Sequence, residues 1–141
     1  MLDFGKVNAQ LVHKPFPIPD IINTMQQLEG FSHVSVLDLN VGYYTIRSDK
    51  FSQCICTIMT PWGKYQYQRL PMGVMHTPNI FQDSMYNLIS DIKCADTYLD
   101  DLLVLSQGIF TKHLDDLEKV LICLSGASLR VNICRCAFAE N

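Results

Sequence analysis

An α+β domain with a split βαβ order is the fold that the sequence predicts, and three observations lead to it. Residues 34–131, apart from an inserted hairpin, run in the order strand, helix, strand, strand, helix, strand. Two of these strands meet at a short polar turn near residues 98–101. The chain has 141 residues, of which 48% are hydrophobic and 18% charged, and this suffices for one domain with a real core.

The N-terminal part is predicted to be irregular and then helical. Residues 1–17 show no regular pattern, and the alternate prolines within 14–19 favour a stiff, extended segment. A helix should begin near Pro19 and end at Gly30. Its apolar face consists of Ile18, Ile21, Ile22, Met25 and Leu28.

A buried strand is predicted over residues 34–39, and it carries one carboxylate, Asp38, near its C-terminal end. Because charged residues are almost never fully buried unless they are paired or liganded, Asp38 is an unusual acid. Residues 40–46 form a turn into another extended piece. The inserted hairpin is predicted to join strands over 54–60 and 64–69.

Two helices are predicted in the second half of the chain. Thr77 and Pro78 mark the start of the first, whose apolar face consists of Phe81, Met85, Leu88, Ile89 and Ile92. Thr111 is expected to cap the second, which ends at Gly126. The apolar face of this helix consists of Leu114, Leu117, Leu121 and Leu124. A short strand over 129–131 completes the order.

Asp100 and Asp101 stand side by side at the polar turn between two apolar strands. Adjacent carboxylates are a poor choice on turn chemistry alone, because each raises the cost of ionising the other. A magnesium ion would remove that cost, since it takes oxygen ligands and is usually held by one or two carboxylates. The alternative is an acidic turn that is simply solvated.

The predicted topology brings a third carboxylate to this turn. In a split βαβ fold the first strand lies antiparallel beside the third, so Asp38 should meet Asp100 and Asp101 at one edge of the sheet. Neighbouring strands lie about 4.8 Å apart. Three carboxylates at this spacing need a counter-charge, which a pair of magnesium ions about 3.5–4 Å apart supplies in polymerases and nucleases.

These residues resemble the motifs of reverse transcriptases, in particular those of gypsy-like long-terminal-repeat retrotransposons, over nearly the whole chain. The matching segments are KPFPIP (14–19), LDLNVGYY (37–44), TPWGKY (60–65), RLPMG (69–73), TP (77–78), FQ (81–82) and YLDD (98–101), the Y-x-D-D box. The resemblance implies the ferredoxin-like palm of a polymerase with part of the fingers, and RNA-directed DNA polymerisation from deoxynucleoside triphosphates.

The resemblance also assigns residue roles. The catalytic, metal-binding residues would be Asp38, Asp100 and Asp101, which would hold two Mg²⁺ ions, with Mn²⁺ as a substitute. The nucleotide-binding residues would be Leu39, Tyr43, Met72 and Gly73, with Tyr43 as the steric gate against a 2′-hydroxyl. The residues on the template and primer would be Gln82, Tyr98, Lys64 and Arg69.

The resemblance further implies how the chain is organised and what it binds. Fingers-side segments would cover about 1–33 and 48–73, and the palm 34–47 and 74–135, with thumb and RNase H absent. The expected partners are an RNA or DNA template-primer, nucleotides and the remaining polyprotein segments, with no membrane. No signal peptide is recognised, and an intracellular location (cytoplasm, virus-like particle or nucleus) is expected.

Other functions are weighed against this one. The net charge of −3 argues against a free-standing nucleic-acid binder. The resemblance implies that basic fingers strands are missing from this chain, and their loss would account for the negative charge. A truncated remnant that keeps the palm fold but does not polymerise stays open. An RNA-recognition module is rejected, because residues 129–138 offer only Phe138 of its aromatic strand. An RNA-dependent RNA polymerase would prefer glycine before the two aspartates and a polar residue in place of Tyr43.

Overall fold

Alternating strands and helices build the part of the chain that the computed structural model describes, residues 4–12, 30–39, 42–98 and 101–140. The strands in these ranges are β1 (His33–Asp38), β2 (Thr57–Thr60), β3 (Gly63–Gln66), β4 (Ala95–Tyr98), β5 (Asp101–Ser106) and β6 (Ala137–Glu140). The α-helices in the same ranges are α1 (Gly5–Asn8), α2 (Lys50–Ile55), α3 (Thr77–Ile89) and α4 (Phe110–Gly126). Short 3₁₀ turns lie at Gly42–Thr45 and Ile133–Arg135.

The main sheet has the order β4-β5-β1-β6, and each neighbouring pair is antiparallel. Strand β1 therefore lies beside β5, as the split βαβ prediction requires, and the predicted fold is confirmed. Strands β2 and β3 form a separate two-stranded sheet. The inserted hairpin is thus present, but it is shorter than predicted.

The hydrophobic core lies between one face of the main sheet and the helices α3 and α4. Side chains alternate between the faces of a strand, so Leu37 on β1 and Leu102 and Val104 on β5 point to the same side. All three have 0% exposure, and they pack with Phe81 of α3 and residues of α4. The same alternation places Asp38 and Asp101 on the opposite face.

The last strand lies later in the chain than predicted. Val131 makes only an isolated antiparallel bridge with Leu39, and the strand that pairs with β1 is β6. The prediction of a final strand over 129–131 is therefore wrong. A 3₁₀ turn separates Val131 from β6, and such a turn has no apolar alternation that the sequence would display.

Helix α2 occupies residues that were predicted to begin a strand. The Asp49 side chain accepts a hydrogen bond from the Ser52 amide at 3.2 Å, which is an N-cap and favours helix over strand. Cys54 lies in this helix and Cys56 follows it, so the two cysteines are not same-face neighbours on a strand. All six cysteines are free thiols.

Helix α4 buries only part of the predicted face: Leu124 is in the core and Leu117 packs against it, as predicted. Its buried residues are His113, Asp116, Val120 and Leu124, whereas Leu114 and Leu121 are exposed. The helix begins at Phe110 and has no side-chain cap, so Thr111 is not its N-cap. The prediction was partly wrong because two polar residues occupy the core-facing stripe.

Those two polar residues belong to a buried hydrogen-bond chain between the sheet and α4. The Ser106 hydroxyl donates to Asp116 Oδ2 at 2.9 Å and therefore accepts from His113 Nδ1 at 3.0 Å. His113 Nε2 then accepts from the Ser35 hydroxyl at 2.7 Å, and Ser35 Oγ accepts from the Ala139 amide. The lowered pKa of His113 favours the neutral ring, which then carries its proton on Nδ1, and the hydrogen bonds tie β1, β5 and β6 to one helix.

The predicted helix between Pro19 and Gly30 lies outside the described residues, apart from Gly30 at its end. In the described ranges, no helix combines the length and apolar character that crossing a membrane requires.

Burial of His113 generates a prediction about pH. Its burial and the neighbouring His33 hold the pKa of His113 below its ordinary value of 6.5. The unfolded chain therefore takes up this proton first, and the free energy of unfolding falls as the pH falls below about 6.5. We expect the free energy of unfolding to change by at most about 1.4 kcal/mol per pH unit because of this group.

Urea denaturation at pH 5–8 measures the slope of the free energy of unfolding against pH, and His113→Gln should flatten it. An unchanged slope in His113→Gln would contradict the prediction.

Candidate active site

Asp38 and Asp101 lie directly opposite each other on neighbouring strands. Asp38 is the last residue of β1, Asp101 is the first of β5, and the antiparallel register pairs them. Residues paired in this way have Cα atoms about 4.5–5.5 Å apart and side chains on the same face. The predicted convergence of these two acids is therefore present. Asp100 lies outside the described residues, between β4 and β5.

Arg135 is a cation beside Asp38 that the sequence reasoning did not find. Its Nη1 lies 4.0 Å from Asp38 Oδ2, and the Asn132 amide donates to the Asp38 carbonyl at 2.8 Å. Arg135 is 74% exposed at its side chain. An ion pair this exposed contributes roughly 0–1 kcal/mol to stability, so the Asp38 carboxylate can exchange Arg135 for another cation at little cost. Nothing in the sequence signals this contact, because 97 positions (135 minus 38) separate the two residues.

Among the described residues, no group of three His, Cys, Asp or Glu side chains is arranged to hold a metal ion. Asp38 and Asp101 are two members of the predicted set of three, and the third falls in the part of the chain left undescribed. The assignment of these residues as metal ligands stays a prediction.

Tyr43, the predicted sugar gate, stands on the 3₁₀ turn that follows β1. Its ring packs against Phe81 of α3, with ring centroids 5.0 Å apart and an angle of 58° between the planes. A Cβ atom on Gly42 would lie 2.4 Å from Phe81 Cζ, so only glycine allows the turn to approach the helix this closely. Phe81 was predicted only as a core residue, and its support of Tyr43 was missed.

The other nucleotide-side residues lie in or near a loop held by an asparagine. Met72 and Gly73 are exposed, and Gly73 has a φ of +98°. Asn8 donates from Nδ2 to the Gly73 carbonyl at 2.9 Å and accepts from the Met75 amide at 2.9 Å. Leu39 was predicted to contribute its backbone carbonyl; its side chain is 6% exposed and belongs to the core, and the role of the carbonyl stays a prediction.

The residues predicted on the template and primer lie in four different settings. Tyr98 ends β4 directly opposite Asp101, and Lys64 is exposed on β3. Gln82 is buried and donates to the Thr97 carbonyl at 2.9 Å. Arg69 donates from Nη1 to the carbonyls of the turn after β1. Contact with template or primer stays a prediction for all four.

The model of the reverse transcriptase (RNA-dependent DNA polymerase) family matches residues 2–141. The chain belongs to the reverse transcriptase family. Its main sheet, in which an aspartate at the end of β1 faces one at the start of β5, is therefore the palm sheet of a reverse transcriptase fold.

Curated relatives place this reverse transcriptase among long-terminal-repeat retrotransposons, as predicted. It is 33% identical over 141 residues to the retrovirus-related Pol polyprotein from transposon 412 of Drosophila melanogaster, covering 98% of this chain and 11% of the relative. It is 28% identical over 134 residues to that from transposon gypsy of the same organism, covering 94% and 13%. The chain thus spans only a small part of these polyproteins.

Solved structures show the same fold. The foamy viral protease-reverse transcriptase in complex with double-stranded DNA matches with a TM-score of 0.88 and 25% identity, over 98% of this chain and 24% of that one. The same viral protein in complex with an RNA/DNA hybrid matches with a TM-score of 0.87 and 25% identity, over 98% and 19%.

The contact between Gly42 and Phe81 generates a prediction about stability. We expect Gly42→Ala to lower the free energy of unfolding by about 1–3 kcal/mol, because the new methyl group overlaps a buried ring. Urea denaturation measures the change. Gly126→Ala is the control, since a Cβ there meets nothing within 4 Å, and it should leave the stability unchanged or raise it slightly.

A double variant tests the cause of that loss. Combining Gly42→Ala with Phe81→Leu should cost less than the sum of the two single losses, because the smaller side chain makes room for the methyl group. Strictly additive losses would show that the overlap with Phe81 is not responsible.

Proposed function

We propose that this chain is the catalytic palm of an RNA-directed DNA polymerase, which transfers a nucleotide from a deoxynucleoside triphosphate to a primer 3′-hydroxyl. One observation carries the proposal: the register that pairs Asp38 with Asp101 at the exposed edge of the palm sheet. Membership of the reverse transcriptase family supplies the reaction class.

The residues present fit divalent metal ions of the Mg²⁺ type. Asp38 and Asp101 offer carboxylate oxygens on one face, and the weak contact of Asp38 with Arg135 leaves its oxygens available. Together with Asp100 they would hold two ions, for which Mn²⁺ can substitute. When bound, such ions activate the attacking hydroxyl and stabilise charge on the transferred phosphate and its leaving group.

Positioning is the task of the chain's other residues. Tyr43, backed by Phe81, would meet the sugar of the incoming nucleotide and exclude a 2′-hydroxyl. Met72 and Gly73 would line the nucleotide pocket from the loop that Asn8 holds. Tyr98 would lie at the primer terminus, because it stands opposite Asp101. Such positioning converts the attack into an effectively unimolecular step.

The proposed partners follow from the relatives. The template-primer would be RNA or DNA, since the foamy viral relative is described in complex with double-stranded DNA and with an RNA/DNA hybrid. The chain covers 11–13% of the two polyproteins above, and we propose that further polyprotein segments act together with it. We propose an intracellular site of action, in the cytoplasm, a virus-like particle or the nucleus.

Primer extension tests this function. The chain, supplied with the fingers and thumb segments of a related polymerase, should extend a DNA primer on an RNA template with Mg²⁺ and deoxynucleotides. Asp38→Asn should lower the rate by more than about a hundredfold, because even the partners of metal ligands contribute 10–100-fold. Gel analysis of the products measures the rate.

Asp96→Asn is the matched control. Asp96 lies on β4 two residues before Tyr98, its side chain accepts from the Thr97 amide, and it faces Leu103 instead of another acid. The control should keep its rate within about twofold of the unaltered chain, as surface substitutions usually do. If the completed enzyme forms no product, the chain is instead a remnant that keeps the palm fold without its activity.

A further inference from the structure

The turn that carries Tyr43 depends on a side chain from a distant segment. In the turn Gly42–Thr45, the Gly42 carbonyl accepts from the Thr45 hydroxyl at 2.6 Å, and the Tyr43 carbonyl accepts from the Ile46 amide at 3.3 Å. The next two carbonyls, at the C-terminal end of the turn, have no donor within it. Arg69 Nη1 donates to both, at 3.1 Å to Tyr44 and 2.9 Å to Thr45.

The backbone holds Arg69 in place for this role. Residues 46–48 and 68–70 form a short antiparallel contact, in which Leu70 donates to the Ile46 carbonyl at 3.0 Å and Ser48 to the Gln68 carbonyl at 3.1 Å. Arg47 and Arg69 are the bridged pair between these two bonds. Arg69 is therefore fixed beside the end of the turn, and its Nη1 group reaches back to two consecutive carbonyls.

The two tyrosines of the turn are held on different partners. The ring of Tyr44 stacks on Tyr67, with centroids 6.5 Å apart and planes 12° apart, whereas Tyr43 packs on Phe81. Gly42 lies against the same ring, since a Cβ there would fall 2.4 Å from Phe81 Cζ. The Arg69 hydrogen bonds hold the C-terminal end of this turn. A displacement of the turn's backbone would move the Tyr43 ring.

We propose that Arg69 is a positioning residue for sugar discrimination: it fixes the turn so that Tyr43 excludes nucleotides with a 2′-hydroxyl. The inference rests on the proposed function, and it gives Arg69 a role different from binding nucleic-acid phosphate. A phosphate contact acts through charge and affects all nucleotides alike. A positioning contact acts through geometry, and its loss selectively favours ribonucleotides, since recognition requires placement within about 0.5 Å.

The test compares two arginines that face each other across the same backbone bridge. Arg69→Gln removes the bonds to the turn. Arg47→Gln removes an identical charge from an exposed side chain with no hydrogen bond or ion pair to the described residues. Arg69→Lys keeps the charge without the planar fork and should give an intermediate result.

Two measurements are made on the full chain completed with the fingers and thumb segments used for primer extension. In the first, 3-fluorotyrosine is incorporated and the ¹⁹F resonance of Tyr43 is assigned with Tyr43→Phe. In the second, dissociation constants for dGTP and GTP are measured with Mg²⁺ and a primer-template that presents cytosine. Arg69→Gln should shift the Tyr43 resonance and lower the preference for dGTP roughly tenfold, as loss of charged hydrogen bonds allows. Arg47→Gln should change neither.

The remaining outcomes separate this inference from the proposed function. If the unaltered chain prefers dGTP and Arg69→Gln leaves both the preference and the resonance unchanged, the inference fails while the function stands. If both arginine variants weaken dGTP and GTP equally, Arg69 is a charge contact and the inference also fails. If the completed enzyme with unaltered arginines binds neither nucleotide, the proposed function fails and the inference falls with it.

Discussion

The antiparallel pairing of β1 with β5 is the constraint on which the rest of the site depends. It sets Asp38 against Asp101, although 63 positions (101 minus 38) separate them in the chain. A slip of one residue would turn every side chain of β1 to the other face. The register is pinned by Leu37, Leu102 and Val104, which are wholly buried, and by His113, whose hydrogen bonds join both strands to α4.

The two faces of the palm sheet carry different groups: one face is buried in the core, and the other carries the acids of the candidate site. The helix-covered face holds the core and the buried polar chain, in which Ser35, Ser106, His113 and Asp116 all have hydrogen-bond partners. The opposite face gathers acids at one edge, with Arg135 as a weak counter-charge. Asp38 and Asp101 therefore place negative charge where we propose that metal cations and substrate phosphates bind.

The sequence predicted what periodicity and motif order can encode, and it failed where contacts are long-range or polar. The order of strands and helices predicted β1 beside β5 and so placed Asp38 at the acidic turn, as the structure shows for Asp101. Part of the buried face of α4 was missed because His113 and Asp116 are polar but buried. The Arg69 and Arg135 contacts were missed because backbone carbonyls and open ion pairs leave no pattern in a sequence.

Binding of Mn²⁺, followed by electron paramagnetic resonance, tests most directly whether Asp38 and Asp101 share a cation. The unaltered chain is compared with Asp38→Asn, Asp101→Asn and the double variant. A shared ion predicts that each single change lowers the affinity more than about tenfold, and that the double variant loses less than the product of both factors. Unchanged affinity for Mn²⁺ in either single variant would contradict the account. So would a double variant whose loss of affinity equals the product of the two single losses.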